Sequence, residues 1–200
     1  MIDNKGFKKR AMMGVGVLLI FIATILVSAI AAGVLIRTSG AIGQKSIEVE
    51  KVSRERLTTG YDVVKIVGYA NVTPGTIQEF EVLVRLKAGS SPVDFGETYI
   101  TFVANDLNAR LQLSNTSAGG VNCSFGNLTP ETEFCYEPLF GNTNTKLEEE
   151  ELVYLRFKVN DTNAVEPNDD AEIQLIPKVG ELTLLSLRIP SIKQTKVDLY

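Results

Sequence analysis

The stretch KKRAMMGVGVLLIFIATILVSAIAAGVLI, residues 8–36, decides how this chain folds. Its first three residues are basic, and no charged side chain follows until Arg37. A helix from Ala11 to Ile36 is roughly 39 Å long at about 1.5 Å per residue, which exceeds the ~30 Å of a bilayer's hydrocarbon core. Because the run is apolar on every side, this helix must be buried in lipid or against protein.

Small residues recur within this run at the spacing of about one helical turn. Ser28 with Ala32, and Ala29 with Gly33, form small-xxx-small pairs, which let two helix backbones approach closely. These four residues predict a surface on which helices pack together. The alternative for such a run is a single membrane anchor that stays in lipid.

The residues before the run predict the orientation of the chain. Residues 1–10 contain four basic side chains and one acidic side chain, so this end stays in the cytoplasm and the rest of the chain is exported. The apolar run is longer than that of an ordinary secretory signal. A cut at the small-x-small triplet Ala29–Ala31 would remove the helix. A cut at the junction of charged and apolar residues would leave the helix on the mature protein.

The order of residues around this junction resembles that of the archaellins, or archaeal flagellins, which are type IV pilin-like filament subunits. The shared features are a basic pair and a small residue, two variable residues, G-[IV]-G and, after the apolar run, T-S-G. In this chain they are Lys9-Arg10, Ala11, Met12-Met13, Gly14-Val15-Gly16 and Thr38-Ser39-Gly40. The resemblance implies that a prepilin-like signal peptidase cuts between Ala11 and Met12, so that residues 1–11 are a class III (prepilin-like) signal peptide.

The helical pattern continues beyond Gly40. Apolar residues at Ile42, Val49 and Val52 follow a narrow stripe, charged residues lie between them, and Gly60 is a suitable stop. Two interpretations are open, a membrane anchor followed by a short stalk, or one assembly helix over residues 12–60. The second would be a helix of about 70 Å, half apolar and half amphipathic, that bundles with copies of itself.

The composition of residues 61–200 limits the functions that this part can have. It contains 11 Lys and Arg against 20 Asp and Glu, a balance of −9, which gives no basic surface for nucleic acid. The chain has no His, which removes the commonest general base and metal ligand. Neither a G-x-x-x-x-G-K-[ST] loop nor a G-x-S-x-G elbow is present. We therefore expect no enzyme activity, no cofactor and no metal site.

Alternating apolar and polar residues predict strands after the helix. In residues 77–87 Phe80, Val82 and Val84 share one face, and residues 152–160 alternate in the same way. About seven short strands are predicted, over residues 61–71, 77–87, 95–103, 109–113, 152–160, 171–179 and 181–189. With turn signals between them, they predict an antiparallel, Ig-like β-sandwich over residues 61–200. The fold class is thus α+β, a long N-terminal hydrophobic helix followed by this sandwich.

Residues 114–145 are rich in Asn, Thr, Ser and Gly and are predicted to form a long, exposed loop. Three of the chain's five Asn-x-Ser/Thr triplets lie there. Such triplets accept N-linked sugar in exported proteins but also arise by chance in Asn-rich loops. The five candidate glycosylation sites are Asn71, Asn115, Asn122, Asn127 and Asn160.

Cys123 and Cys135 are the only cysteines of the chain. Outside the cell, two cysteines twelve positions apart most simply form one disulfide. The alternative is a pair of reduced, buried thiols. A zinc site needs more ligands than these two.

The resemblance also implies a function. The chain would be a structural subunit of the archaellum filament, which polymerises through its N-terminal helix outside the cell and is rotated for swimming. Its partners would be other archaellin copies, the signal peptidase, the archaellum assembly and motor machinery and, before assembly, the membrane. The alternatives are an adhesive type IV-like pilus subunit and a membrane-anchored surface ectodomain.

Overall fold

The computed structural model describes residues 4–71, 73, 75–115 and 123–200, with side chains from Met13 onward. One helix, α1, runs without interruption from Asn4 to Thr58. This confirms the predicted long N-terminal helix. The chain divides into two compact units, residues 1–52 and residues 53–200, and α1 passes from the first into the second.

The second unit contains the strands of the molecule. Eleven are found in the described residues, and they are β1 Tyr61–Asn71, β2 Thr76–Leu86, β3 Val93–Asp94, β4 Tyr99–Ala104, β5 Leu107–Leu113, β6 Glu133–Phe140, β7 Lys146–Leu147, β8 Leu152–Lys158, β9 Asp170–Ile176, β10 Thr183–Arg188 and β11 Lys196–Asp198. Three short 3₁₀ turns connect some of them, at Phe95–Glu97, Phe125–Asn127 and Asp161–Asn163.

Nine of these strands form one sheet in the order β10-β9-β4-β5-β6-β8-β2-β1-β11, and β3 pairs with β7 separately. All neighbouring pairs are antiparallel except β5 and β6, which run parallel over two residue pairs, Gln112 with Glu133 and Leu113 with Phe134. The predicted antiparallel domain is therefore confirmed as a mostly antiparallel one. The short parallel pair links a four-stranded half, β10-β9-β4-β5, to a five-stranded half, β6-β8-β2-β1-β11.

The two halves of the sheet face each other across one apolar core. Phe102 lies on β4, and its ring centroid is 4.9 Å from that of Phe80 on β2 and 5.5 Å from that of Phe157 on β8. Since three strands separate β4 from β2 in the sheet order, this contact requires the sheet to fold over on itself. The three rings are fully buried, and such ring pairs stabilise a core beyond the area they bury.

Two sequence-based predictions are corrected here. Residues 114–145 are not one long loop, because β6 lies within them as an interior strand between β5 and β8. The predicted strand over residues 95–103 begins only at Tyr99. Residues Phe95–Glu97, before this strand, form a 3₁₀ turn instead. Asp94 caps the turn, because its carboxylate accepts a hydrogen bond from the Gly96 N–H at 2.8 Å.

Candidate assembly surface and modification sites

Among the described residues of its own unit, the apolar part of α1 has no packing partner. Fifteen large apolar side chains between Met13 and Ile36 are 46% to 73% exposed. The Thr24 hydroxyl in this part is satisfied locally, because it donates to the Phe21 carbonyl at 2.8 Å. Among the described residues, α1 from Met13 is the one helix long and apolar enough to cross a membrane, by length and composition.

The glycines of α1 have open space around them. A Cβ atom added at each would meet no atom within 4 Å, and this holds for Gly14, Gly16, Gly33, Gly40 and Gly43. A glycine inside a helix costs roughly 1 kcal/mol relative to alanine. No contact among the described residues requires these five glycines, and glycines on a helix allow another backbone to approach closely.

The predicted packing residues Ser28, Ala29, Ala32 and Gly33 are all exposed on α1. Residues four apart lie on the same helix face, so each predicted pair presents one small patch of backbone. The α1 backbone continues through Ala11 and Met12, the predicted cleavage position. The side chains of these two residues lie outside the described ones.

The segment Thr58–Tyr61 connects α1 to the β-domain (residues 61–200) and is held by hydrogen bonds. The Ser90 hydroxyl donates to the Thr58 carbonyl at 3.0 Å, and the Glu181 N–H donates to the Thr59 carbonyl at 2.8 Å. The Lys87 N–H donates to the Gly60 carbonyl at 3.0 Å. The segment is thus fixed by two loops that are distant in sequence, before β3 and between β9 and β10.

The side chains around this connection reinforce it. The Tyr61 hydroxyl is 2.7 Å from the Thr98 hydroxyl, and the Tyr61 ring stacks on Phe95. Burial raises the pKa of the Tyr61 phenol well above its ordinary value, so the hydroxyl stays neutral. Lys87 forms an ion pair with Glu181 at 2.8 Å, and the hydrogen bond from Lys87 lowers the pKa of the Glu181 carboxyl.

The structure joins Cys123 and Cys135 in a disulfide with a Cα–Cα distance of 5.4 Å. Cys135 lies on β6 opposite Arg156 on β8, and the Arg156 guanidinium donates to the Cys123 carbonyl at 2.9 Å. Both contacts hold the segment after Cys123 over the outer face of the sheet. There, the Phe125 ring packs edge-on against Tyr69, with centroids 5.5 Å apart.

Arg156 also pairs with two carboxylates. Its Nε donates to Glu81 at 2.7 Å, and its terminal nitrogen contacts Glu137. Burial alone would lower the pKa of Arg156, but hydrogen bonds and charges from Glu81 and Glu137 raise it overall. Glu81 is only 4% exposed, and Tyr69 also donates to it at 3.3 Å. Sequence patterns did not single out Arg156, because its partners are brought together only by the sheet.

Four of the five predicted glycosylation residues are described, and all four are exposed: Asn71, Asn115, Asn127 and Asn160. Asn71 ends β1, and its side-chain amide donates to Oε1 of the Gln78 side chain at 3.4 Å. Asn160 precedes a 3₁₀ turn and lines a cleft of about 490 Å³ beside Pro130 and Lys158. Asn122 lies outside the described residues. Exposure is a condition for glycosylation that these four residues meet.

Comparison with known proteins gives the family. The family model of archaeal-type flagellins matches residues 11–186. The chain belongs to the archaeal-type flagellin family. Flagellin B1 of Methanocaldococcus jannaschii is 42% identical over 86 residues, which cover 43% of this chain and 40% of that protein. Flagellin B3 of the same organism is 28% identical over 200 residues, which cover 92% of both.

A solved structure supports the fold of this flagellin. The chain superposes on a subunit of the archaeal flagellum of Methanospirillum hungatei with a TM-score of 0.68 and 14% identity, covering 93% of this chain and 98% of that one. At this identity the likeness concerns the fold. Several of the flagellin's sequence relatives, including flagellin B1, are matched over only about half their length.

Taken together, the described surfaces of this flagellin suit assembly. Within the described ranges no group of three or more His, Cys, Asp or Glu side chains is arranged to hold a metal ion. The features that do stand out are an unpartnered apolar helix, a firmly held connection and exposed asparagines on an acidic domain.

Proposed function

We propose that this chain is a structural subunit of the archaellum filament that polymerises through α1. The observation that carries the proposal is the exposure of α1: a member of the archaeal-type flagellin family presents apolar side chains around the whole helix from Met13 to Ile36. An exposed apolar surface of this size marks an interaction site. The role is mechanical, and we assign no catalysis to it.

Assembly begins in the membrane. The basic residues before Ala11 keep the amino terminus in the cytoplasm while α1 spans the bilayer. A prepilin-like peptidase then cuts between Ala11 and Met12, which removes residues 1–11. Without these charges the helix is free to leave lipid and pack against the helices of other copies. Gly33 and its small neighbours let those backbones approach.

The filament grows outside the cell by heterologous contacts, in which one surface of a copy meets a different surface of the next. Such contacts do not close and give an open helical polymer. The β-domains, with a charge balance of −9, surround the helical core and face solvent. Sugars on exposed asparagines would cover this outer face, and the envelope motor of the archaellum would rotate the whole for swimming.

The first test is the N-terminal peptide of the chain in filaments sheared from the cell surface, measured by mass spectrometry. We expect the chain to begin at Met12. A chain that begins at Met1 and occurs only in membranes would contradict the proposal and support an anchored ectodomain. A deletion strain that loses adhesion but still swims would instead support the pilus alternative.

Substitution at the cleavage site tests the processing step. Ala11→Arg places a bulky charge before the bond and should leave uncut monomers in the membrane. Met13→Leu, two residues further on, preserves size and apolarity and serves as the control. Normal filaments on the Ala11→Arg strain would overturn the assignment of the cut.

A further inference from the structure

The exposed apolar side chains of the β-domain are unevenly distributed. Most of them lie at the end where α1 enters, and we call this group the helix-proximal rim: Tyr99, Leu139, Phe140, Val179 and Leu182, which are 37% to 67% exposed. Phe140 is the most exposed of them. Exposed apolar residues scattered singly are ordinary, but a group at one end indicates an interaction surface.

Strand register places Leu139 and Phe140 at this end. Phe140 on β6 is opposite Leu152, which begins β8. The next strands follow at the same level, because Val153 is opposite Val84, and Leu86 is opposite Tyr61. A register shift between Pro138 and Phe140 marks a bulge, a device that redirects side chains at the end of a strand.

The other members of the rim surround the same point from the opposite half of the sheet. Val179 and Leu182 flank Gly180 and Glu181, and the Glu181 N–H is bonded to the Thr59 carbonyl. Tyr99 follows Thr98, whose hydroxyl contacts that of Tyr61. The rim therefore lies around the residues through which α1 joins the domain.

The far end of the β-domain is polar. The turn after β4 and the 3₁₀ turn after β8 line a polar cleft of about 400 Å³ with Asn105, Asp106, Asn163, Glu166 and Asp169. Large exposed apolar side chains are absent from this far-end cleft as described. The apolar rim is thus a property of one end and does not reflect a generally apolar surface.

We propose that the helix-proximal rim docks on the carboxyl-terminal part of α1, residues 37–58, of a second copy of this chain. The inference rests on the proposed filament function and extends it to the β-domain. Residues 37–58 are amphipathic and expose the apolar side chains Ile42, Ile47, Val49, Val52 and Leu57. Apolar surface on the helix and on the rim would be removed from water together.

Distances favour a second copy of the helix as the occupant. Phe140 lies three strands away from Tyr61, which is about 14 Å at a strand spacing of ~4.8 Å. Two packed helices are about 8–10 Å apart between axes. The end of the β-domain between Tyr61 and Phe140 is therefore wide enough to seat one further helix.

Charge gives an independent reason for the same occupant. Glu149 and Glu150 are exposed beside the rim and line a cleft there with Leu152. The same cleft contains Arg85 and Lys87, which form ion pairs with Asp62 and Glu181. The residues of α1 from 37 to 58 include five basic and three acidic side chains. An excess of positive charge on the helix complements the acidic loop, whereas two β-domains, each with a balance of −9, repel each other.

The test compares Phe140→Ser and Tyr200→Ser in a strain whose own copy is deleted. Tyr200 is 66% exposed but lies at the β11 edge, where its carbonyl accepts from the Ile66 N–H. We expect Phe140→Ser filaments to dissociate on heating at a lower temperature than the parent by several degrees, and Tyr200→Ser filaments to match the parent. Near-ultraviolet circular dichroism of the detergent-solubilised chains should be unchanged in both.

Cysteine cross-linking tests the occupant directly. Phe140→Cys is combined with Ile47→Cys, Val49→Cys or Val52→Cys in turn, and Tyr200→Cys replaces Phe140→Cys as the control. At least one of the first three pairs should give a covalent dimer in intact filaments and none in detergent.

The outcomes separate the two proposals. Filaments of unchanged thermal stability with no cross-link from Phe140→Cys would overturn the docking of the rim and leave the filament function standing. Failure of the unsubstituted chain to form filaments would overturn both. A cross-link from Tyr200→Cys alone would move the contact to the β11 edge and also overturn the proposal.

Discussion

Replacement of Gly180 by alanine should destabilise the connection between α1 and the β-domain. Gly180 has φ of +136°, which L-residues rarely adopt. A Cβ atom added there would be 2.6 Å from the Thr59 carbonyl oxygen and 3.3 Å from Cγ of Pro177. The first contact is with backbone, and the same oxygen accepts the hydrogen bond from the Glu181 N–H. Relief of the clash therefore has to move the bonded segment.

The expected loss of stability is the sum of two free-energy costs. A side chain in such a backbone region costs of order 1–3 kcal/mol. Weakening of the Glu181–Thr59 hydrogen bond adds about 0.5–1.5 kcal/mol. We expect a loss of about 2–4 kcal/mol in the free energy of unfolding, from a total that is typically 5–15 kcal/mol for a domain. The midpoint of thermal unfolding should fall by about 5–15 °C.

Gly89→Ala is the matched control for this measurement. Gly89 also has a positive φ, +79°, but a Cβ atom there meets nothing within 4 Å. Its cost should be the backbone term alone, about 1–2 kcal/mol. Both variants are made in the full chain in detergent, and unfolding is followed by near-ultraviolet circular dichroism. A Gly180→Ala midpoint no lower than that of Gly89→Ala would refute the importance of the Thr59 contact.

Three further substitutions should each change stability or assembly by a stated amount or in a stated way. Cys135→Ser removes the disulfide and should lower the free energy of unfolding by about 3 kcal/mol, which reduction of the parent should reproduce in the same thermal scan. Arg156→Met leaves the buried Glu81 without its cation and should lower the free energy of unfolding, measured with denaturant, by about 2–3 kcal/mol. A loss no larger than that from removing an exposed ion pair would contradict this expectation. Gly33→Leu should leave the monomer folded but impair filament assembly in electron micrographs, and filaments of unchanged diameter would count against close helix packing there.

The sequence alone predicted those elements in which a single pattern of apolar residues dominates. The uncharged run before Arg37 predicted a long helix, and α1 extends over it. The alternation of Phe80, Val82 and Val84 predicted β2, since a sheet with one buried face separates core and solvent residues along the strand. Both predictions depend on local patterns that a single element produces by itself.

The interior strand β6 was missed because it does not alternate. Phe134, Cys135 and Tyr136 are all buried. Phe134 and Tyr136 are buried in the core. Cys135 is buried on the outer face, beneath the segment that is held there by the disulfide and by Arg156. Pro138 within the strand lacks the N–H of a regular ladder. These features arise from distant residues, and no local pattern contains them. The ion pair of Arg156 with Glu81 was missed for the same reason.

The energetics of α1 restrict how a subunit can reach a filament. Burial of one large apolar side chain is worth about 1.5–3 kcal/mol. The fifteen between Met13 and Ile36 are 46% to 73% exposed, so their burial represents about 10–30 kcal/mol, which is as large as or larger than the whole stability of a typical domain. A free aqueous monomer with a bare α1 would be vanishingly rare. We therefore expect the helix to pass from lipid to the neighbouring helices without an aqueous intermediate, and filament growth to occur at the membrane, where the proposed cut after Ala11 would release the helix.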